Sequence, residues 1–465
     1  MGYSSGQRGQ TVNLLAYAFQ GSNPCPTTNQ SPNGYWGFRL FKALSVNEKR
    51  IKATSRPKYI IGLDAHSRKQ AISIWECTDP WNPVLHSEKP KCDISQLQDY
   101  YEKNVPLDSI TLIEASTNSA LIKGLLNDIG FRAEVVRSDV IADKQRKRKV
   151  CDINDARKLA NAYIRGDIDA FVWTPSPEYA EYRDILFAYR DAVKETTRTS
   201  NRIWAICCRC GFDFDIKAGD TKADSIREMI KQLNITGFIK DRLEMLVRDY
   251  EYYLSRRDEL ERKISEIVLE SKAMLALMQL PGIYQIAAFA TQVIVEDARR
   301  FPTASKLSAY GGYAMIGNTS GEEEERSKEK GGTGKPLDGD GRRDLKSLYC
   351  EAGHTVLNRC GEMEIGKWGW RLFYKGKNKN KVACAVGRKL LTYAWHIMRG
   401  DPTPNRESEA FYKRKMMRFY GELGAKRMHE LGYVSAKDFA EKKAELIYGK
   451  LPKVTDAPKQ INKRR

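Results

Sequence analysis

Four acidic residues in the first half of the chain stand where carboxylates could act together. Asp64 lies at the end of the apolar stretch "YIIGLDA" and Glu114 at the end of "SITLIEA", and both stretches have the pattern of buried strands. Asp152 and Asp155 lie three positions apart at the start of a predicted helix, so they share one helix face. If that helix packs on the sheet, the four carboxylates converge.

Converging carboxylates predict a particular chemistry, because they repel each other unless a cation neutralises them. Ligand sets made of oxygen alone favour Mg²⁺ or Mn²⁺. Two such ions could bind the attacking and the leaving oxygen of a phosphodiester. Taken singly, each acid also has an ordinary structural explanation, since aspartate often caps a helix and acids at strand ends are often solvated turn residues.

A run of basic residues directly precedes the acidic helix. It contains Lys144, Arg146, Lys147, Arg148 and Lys149. The whole chain has 78 Lys and Arg against 59 Asp and Glu, which gives a formal net charge of +19. Such an excess favours nucleic acid as the partner, because basic groups neutralise its phosphates. We predict that this run and Arg157 bind a nucleic-acid backbone, with a solvated loop as the alternative explanation.

The elements that must position these residues alternate between strands and helices over residues 58–175, a pattern typical of α/β domains. Asp64 and Glu114 then lie at the carboxyl ends of strands, which is the edge of an open sheet where ligands bind. The stretch "TPSPEY" at 174–179 marks the end of this domain, and the chain beyond it has helical periodicity.

Residues 239–272 carry apolar and aromatic side chains at the spacing of a coiled coil. These side chains belong to Leu243, Leu246, Tyr250, Tyr253, Leu260, Ile264 and Ile267. The steps between them are almost all three or four residues, as in a heptad seam. The pattern predicts a helical hairpin or a dimer contact, and an amphipathic helix packed inside one subunit is the alternative.

Neither a membrane nor a disulfide framework is indicated. The longest apolar stretch near the N-terminus, "VNLLAYAF", is too short to span a bilayer and lacks the pattern of a signal peptide. We therefore expect an intracellular protein without a membrane partner. Its ten cysteines lack the paired spacing of a zinc ribbon, so buried free thiols are the expectation.

The chain is predicted to divide into five segments. An N-terminal extension rich in Gly, Ser, Asn and Pro covers 1–57, and the α/β domain covers 58–175. A helical, coiled-coil linker covers 176–275, and a mainly α-helical domain covers 276–400. A basic helical C-terminal extension covers 401–465.

Three stretches, "IIGLDAH", "TLIEAS" and "CDINDARKLA", resemble the DEDD motifs of a large insertion-sequence transposase family. That family includes the Piv-type DNA invertases and the bridge-RNA-guided recombinases. Further along, "LPGIYQIAAFATQVIVEDARRFPTASKLSAYGGYAMIGNTSG" is similar to the family's transposase domain and ends in the pair Ser320-Gly321. The resemblance covers roughly residues 58–400. It implies a RuvC-like (ribonuclease H-like) fold for the first domain and a mainly helical transposase domain for the second.

The resemblance also implies an activity, that of a prokaryotic DNA transposase or recombinase. Asp64, Glu114, Asp152 and Asp155 would bind Mg²⁺ or Mn²⁺, and Ser320 would attack the phosphate to form a covalent link to DNA. Arg326 joins the predicted nucleic-acid contacts. The implied partners are donor and target DNA, a structured noncoding bridge RNA that selects both, and further copies of the chain that form a dimer and then a tetramer. The implied location is cytoplasmic, at the nucleoid during the reaction.

Two other functions are compatible with the same residues. The first is a RuvC-like nuclease that hydrolyses junction DNA by two-metal catalysis while Ser320 takes no part. The second is a catalytically inactive RNA- or DNA-binding protein. The aromatic residues Trp368, Trp370 and Tyr374, which lie among lysines, predict base stacking or core packing with equal weight.

Overall fold

The computed structural model describes residues 57–66, 69–79, 81–137, 152–168, 170–211, 228, 231, 235–314, 341–401 and 409–449. The chain divides into two compact units, and the division falls between Pro177 and Glu178. The predicted extension at 1–57 lies almost wholly outside the described residues. The same holds for the basic run at 144–149, for Ser320 and for Arg326.

The N-terminal unit contains five strands and three helices among its described residues. The strands are β1 (Tyr59–Ala65), β2 (Lys69–Glu76), β3 (Val84–Asp93), β4 (Ser109–Glu114) and β5 (Arg132–Val136). The helices are α1 (Leu97–Asn104), α2 (Ser119–Asp128) and α3 (Asp152–Arg165). The predicted α/β character and the two strands predicted to carry Asp64 and Glu114 are confirmed. Helix α1 was not predicted, because its sequence lacks a clear apolar period.

The five strands form one mixed sheet in the order β3-β2-β1-β4-β5. β1, β2 and β3 are antiparallel neighbours because short turns join them, whereas β4 and β5 each follow a helix and lie parallel to β1. Leu63 of β1 lies opposite Ile113 of β4. The next residues along these parallel strands are Asp64 and Glu114, which therefore end side by side at the same edge.

Helices cover both faces of the sheet. On one face, alternate strand residues such as Leu63 and Ile113 pack against α1 and α2. On the other face, Ile60 and Leu112 pack against Leu159 of α3. Because side chains alternate between the faces of a strand, Asp64 and Glu114 project toward the face that α3 covers.

The C-terminal unit begins with two long helices, α4 (Pro177–Arg209) and α5 (Phe238–Glu270). Residues near the end of α4 and near the start of α5 share one apolar cluster, which includes Ile203, Cys207, Leu243 and Tyr250. The two helices therefore pack as an antiparallel hairpin within one chain. The first part of the predicted heptad seam is buried in this contact, and Ile264 further along joins the main core of the unit.

Nine shorter α-helices complete this unit within the described residues. They are α6 (Lys272–Leu277), α7 (Gln285–Val295), α8 (Ala304–Ser308), α9 (Arg343–Arg359), α10 (Glu364–Tyr374), α11 (Lys379–Arg399), α12 (Glu409–Leu423), α13 (Ala425–Glu430) and α14 (Ala436–Tyr448). One continuous core joins them, from Phe289 in α7 to Phe439 in α14. None of the helices in this described part of the chain is long and apolar enough to cross a membrane.

Two polar anchors hold elements of this unit together. The Nζ of Lys415 in α12 donates to the carbonyl oxygens of Met278, Leu280 and Ile283 at 2.9, 2.6 and 2.8 Å. This ammonium ties α12 to the "LPGI" turn before α7. In the second anchor, the buried carboxylate of Asp344 accepts hydrogen bonds from two arginines. One is Arg190 of α4, with its Nη1 3.2 Å from Oδ2 of Asp344, and the other is Arg342, with its Nη2 2.8 Å from the same oxygen.

Candidate metal centre

The candidate centre begins with the two strand-end acids. Asp64 follows four buried residues of β1 and is itself 4 % exposed. Glu114 is the last residue of β4 and is half-buried. Both carboxylates lie at the carboxyl edge of the sheet, because parallel strands with neighbouring registers end together.

Helix α3 brings the other two acids, and a glycine allows its close approach. A Cβ atom built on Gly62 of β1 would lie 1.8 Å from the carbonyl oxygen of Ala156, so only glycine permits this contact between backbones. Ala156, Leu159 and Ala160 of α3 are buried against the sheet. Asp152 lies one helical turn before Ala156, and Asp155 one turn before Leu159. The helix therefore directs both acids toward the sheet edge that carries Asp64.

Asp64, His66 and Asp152 form a compact group of ligand atoms. One carboxylate oxygen from each aspartate and one imidazole nitrogen all lie within 4.8 Å of one another. The Nδ1 of His66 is 3.3 Å from Oδ1 of Asp64. Asp64 is buried, whereas His66 and Asp152 are exposed. The group is therefore open to solvent on one side.

Sequence reasoning missed His66, although "DAH" places it only two residues after Asp64. The main chain of His66 is held by its neighbours. Its N–H donates to Oε1 of the buried Gln70 at 3.1 Å, and its carbonyl accepts from Nε2 of Gln70 at 2.8 Å. Asn118 also donates to that carbonyl, at 3.2 Å. These contacts fix the chain between β1 and β2, which orients the imidazole toward Asp64.

The two strand-end acids feel the charges of neighbouring acids. Burial raises the pKa of Asp64 above its ordinary value, and the charges of Asp152 and Asp155 raise it further, against the opposing effect of His66. Burial likewise raises the pKa of Glu114, and the charges of Asp64 and Asp155 add to the shift. The structure therefore gathers the four predicted acids into one cluster, and their mutual repulsion would be relieved by a cation.

Two basic residues of α3 have carboxylate partners within this unit. Lys158 donates to Oδ1 of Asp155 at 2.7 Å. Arg157 forms a two-point contact with Glu88 of β3, at 2.5 Å from Nε and 2.6 Å from Nη2. The second contact ties α3 to the outermost antiparallel strand. The role of Arg157 in binding nucleic acid stays a prediction.

The donor set suits a hard divalent ion. Two ligands on opposite sides of Mg²⁺ lie about 4.2 Å apart, since each sits at about 2.1 Å from the ion. The ligand atoms of Asp64, His66 and Asp152 lie within 4.8 Å of one another, which is close to that value. Glu114 and Asp155 add negative charge beside this group. The carboxylates of this group are compatible with both Mg²⁺ and Mn²⁺.

Two comparisons with known proteins indicate the protein family. Residues 274–364 match the model of the transposase family IS116/IS110/IS902. The chain is also similar to the transposase of insertion sequence element IS1328 from Yersinia enterocolitica, with 20 % identity over 294 residues, which cover 62 % of this chain and 83 % of that protein. Together they support an insertion-sequence transposase family of the IS110 type, which confirms the family resemblance predicted from the sequence motifs.

Proposed function

We propose that this protein is an insertion-sequence recombinase that cuts and rejoins DNA at the acidic cluster of Asp64, Glu114, Asp152 and Asp155. The observation that carries the proposal is the convergence of these acids in a chain whose residues 274–364 match a transposase family. The order of the strands supports a ribonuclease H-like fold for the N-terminal unit, as the resemblance implies. The likeness to the IS1328 transposase supports transposition as the biological reaction.

The acids, with His66, would hold Mg²⁺ or Mn²⁺. A bound divalent ion would withdraw electron density from a DNA phosphate and stabilise the charge that develops there. Asp64 and Asp152 would bind this ion directly, since their oxygen atoms lie in the compact group. Glu114 and Asp155 would complete the negative field, and Lys158 would orient Asp155 through the hydrogen bond between them.

Ser320 would be the nucleophile, as the family resemblance implies. In that reaction its Oγ bonds to the DNA phosphorus as the P–O bond to the adjoining deoxyribose breaks. The hydroxyl proton passes to a general base, and the deoxyribose oxygen takes up a proton and leaves as the hydroxyl end of the cut strand. A serine hydroxyl is a weak nucleophile at neutral pH, so it needs such a base or a metal ion nearby. Ser320 lies outside the described residues, so its role depends on the sequence alone.

The further parts of the proposal concern partners. Donor and target DNA would be the substrates, and a structured noncoding RNA would pair with both and select the sites. The chain would form a dimer that assembles into a tetramer for the complete reaction. The formal charge of +19 supports binding to polyanions of either kind.

A covalent adduct assay tests the proposal. The full chain is incubated with the DNA ends of its element, the RNA transcribed beside it and Mg²⁺, and is then denatured. We expect a protein–DNA adduct that disappears when EDTA is added. Ser320→Ala and Asp64→Asn should each abolish it, because one removes the attacking oxygen and the other a ligand charge.

Two matched variants make the assay specific. Ser327→Ala replaces a nearby serine, and Asp128→Asn makes the same change at an exposed aspartate of α2. Both should leave adduct formation unchanged. DNA cleavage that persists in Ser320→Ala would instead identify a nuclease that uses water. DNA binding without cleavage, unaffected by Asp64→Asn, would refute the catalytic role of the cluster.

A further inference from the structure

The surface where α10 meets α11 carries an uncommon concentration of positive charge. Residues 365–400 contain six lysines and three arginines but no aspartate or glutamate. The part around the α10–α11 loop also carries aromatic rings. We call this part the aromatic–basic corner, and it consists of Trp370, Tyr374, Lys375, Lys377, Lys379 and Lys381.

The lysines of the corner lack acidic partners inside the described structure. Ion pairs are frequent elsewhere in this unit, including those of Arg399 and Lys413. Within the residues that the structure describes, however, no carboxylate forms an ion pair with Lys375, Lys377 or Lys381, and all three are exposed. Like charges held this close on one surface repel each other, and a polyanion would relieve that repulsion.

The corner includes an exposed aromatic ring. Tyr374 is 79 % exposed, which is uncommon for a large aromatic side chain. Its ring lies 5.8 Å from the ring of Trp370 at an interplanar angle of 31°. Trp370 is itself fixed, because its Nε1 donates to the carbonyl oxygen of Leu357 at 3.2 Å. Trp370 therefore packs against Tyr374, while most of the surface of Tyr374 stays exposed to solvent.

The main chain brings rings and charges together. Gly376 has φ +84°, a conformation that ends α10 and turns the chain back within a few residues. Asn378 then caps α11 by accepting a hydrogen bond from the N–H of Asn380 at 2.9 Å. The first turn of α11 contains Lys379 and Lys381 and no acid, although the positive end of a helix dipole normally favours acids. Lysines at this helix start lower the stability of the helix, and together with the helix dipole they favour a bound phosphate.

We propose that the aromatic–basic corner binds a single-stranded segment of nucleic acid. A base stacks on Tyr374, and the flanking phosphates contact Lys375, Lys377 and Lys381. A duplex is a poorer partner, because the faces of its bases are covered by their neighbours and cannot reach the ring. The inference rests on the proposed function, since it assigns to this surface the unpaired strands that a recombination reaction produces.

Binding of labelled oligonucleotides to the full chain tests this assignment. Single-stranded DNA, single-stranded RNA and duplex DNA of equal length are titrated in EDTA, and fluorescence anisotropy is recorded. Tyr374→Ala should weaken binding of single strands roughly 5- to 100-fold, the usual effect of losing one stacked base. Tyr374→Phe should bind as the unmodified chain does, and duplex binding should change less than about twofold in either variant. The strand type that binds more tightly identifies DNA or RNA as the natural partner.

The salt dependence of binding tests the role of the lysines. The slope of log affinity against log salt is negative, and Lys377→Ala and Lys381→Ala should each reduce its magnitude by about 0.7 for single strands, the value for one lost phosphate contact. Tyr374→Ala should leave that slope unchanged. Tyr252→Ala, which removes an exposed tyrosine from α5, serves as the matched control and should have no effect.

Two results would overturn the inference. One is single-strand binding that is equal in Tyr374→Ala and the unmodified chain. The other is an equal loss for duplex and single strand, which would indicate charge attraction alone. Because the titrations need no metal and no cleavage, they also distinguish this inference from the proposed function. An absent adduct with Tyr374-dependent binding would refute the recombinase proposal only.

Discussion

Gly62→Ala is the perturbation that most directly tests how the acidic cluster is built. The new Cβ would lie 1.8 Å from the carbonyl oxygen of Ala156 and 3.1 Å from the main-chain nitrogen of Ala160. An ordinary contact begins at 3.4 Å, so α3 must move away from β1 by about 1.6 Å. Both obstructing atoms belong to the main chain, which means that no side-chain rotation relieves the clash.

The expected loss has two parts. Overpacking of a buried contact costs about 1–3 kcal/mol, which corresponds to a fall of about 2–12 °C in the unfolding midpoint of a unit this size. The affinity for a metal ion should fall by more than the stability does, because metal–ligand distances tolerate only about 0.2 Å of change. Moving Asp152 by several times that amount relative to Asp64 should weaken Mn²⁺ binding at least about 10-fold.

The measurements are thermal unfolding of the full chain, Mn²⁺ titration followed by electron paramagnetic resonance, and hydrogen exchange in α3. Gly124→Ala is the matched control, because nothing lies within 4 Å of its new Cβ in the middle of α2. That variant should gain about 0.5–1 kcal/mol from helix propensity and bind Mn²⁺ normally. If Gly62→Ala behaved like Gly124→Ala in all three measurements, the close contact of α3 with β1 would be refuted.

Three other predictions follow from the buried polar contacts. Lys415→Met should lower the free energy of unfolding by about 2–4 kcal/mol, because three carbonyls lose one charged donor, whereas Lys413→Met on the same helix should change it by less than about 0.5 kcal/mol. Asp344→Asn should cost about 2–4 kcal/mol in urea unfolding, because it leaves two arginines without their buried carboxylate, and an unchanged midpoint would contradict that reasoning. The third concerns pH. Because the pKa of Asp64 is raised, the metal-free fold is stabilised below the unfolded-state pKa and loses that stabilisation as the pH rises through the folded-state pKa. The increase in unfolding midpoint caused by Mg²⁺ should therefore grow from ~pH 4.5 to ~pH 8, and an increase that shrank over this range would count against metal binding by the cluster.

Much of the N-terminal unit could be predicted from the sequence. The apolar stretches that end in Asp64 and Glu114 form strands because their length and β-branched residues allow little else. The spacing of Asp152 and Asp155 placed them correctly at a helix start. Helix α1 was missed because Leu97 and Tyr101 alone carry its buried face.

The C-terminal unit shows where local patterns stop being informative. The heptad spacing in α5 allowed either a hairpin or a dimer contact, and the pattern is the same in both. Burial of Leu243 and Tyr250 against Ile203 of α4 shows that part of this seam packs within the chain. The two possible environments of Trp370 and Tyr374 were likewise open from sequence, and the structure holds one ring while exposing the other.

The sequence by itself determined the types of residue, their helical or strand setting and the chemistry that clustered acids require. Only the tertiary structure decided which side chains meet. His66 joins Asp64 because Gln70 holds the chain after β1, and α3 reaches the sheet because Gly62 leaves room for its main chain. These are contacts between residues whose positions depend on packing and hydrogen bonds across the fold, and neither periodicity nor propensity contains that information.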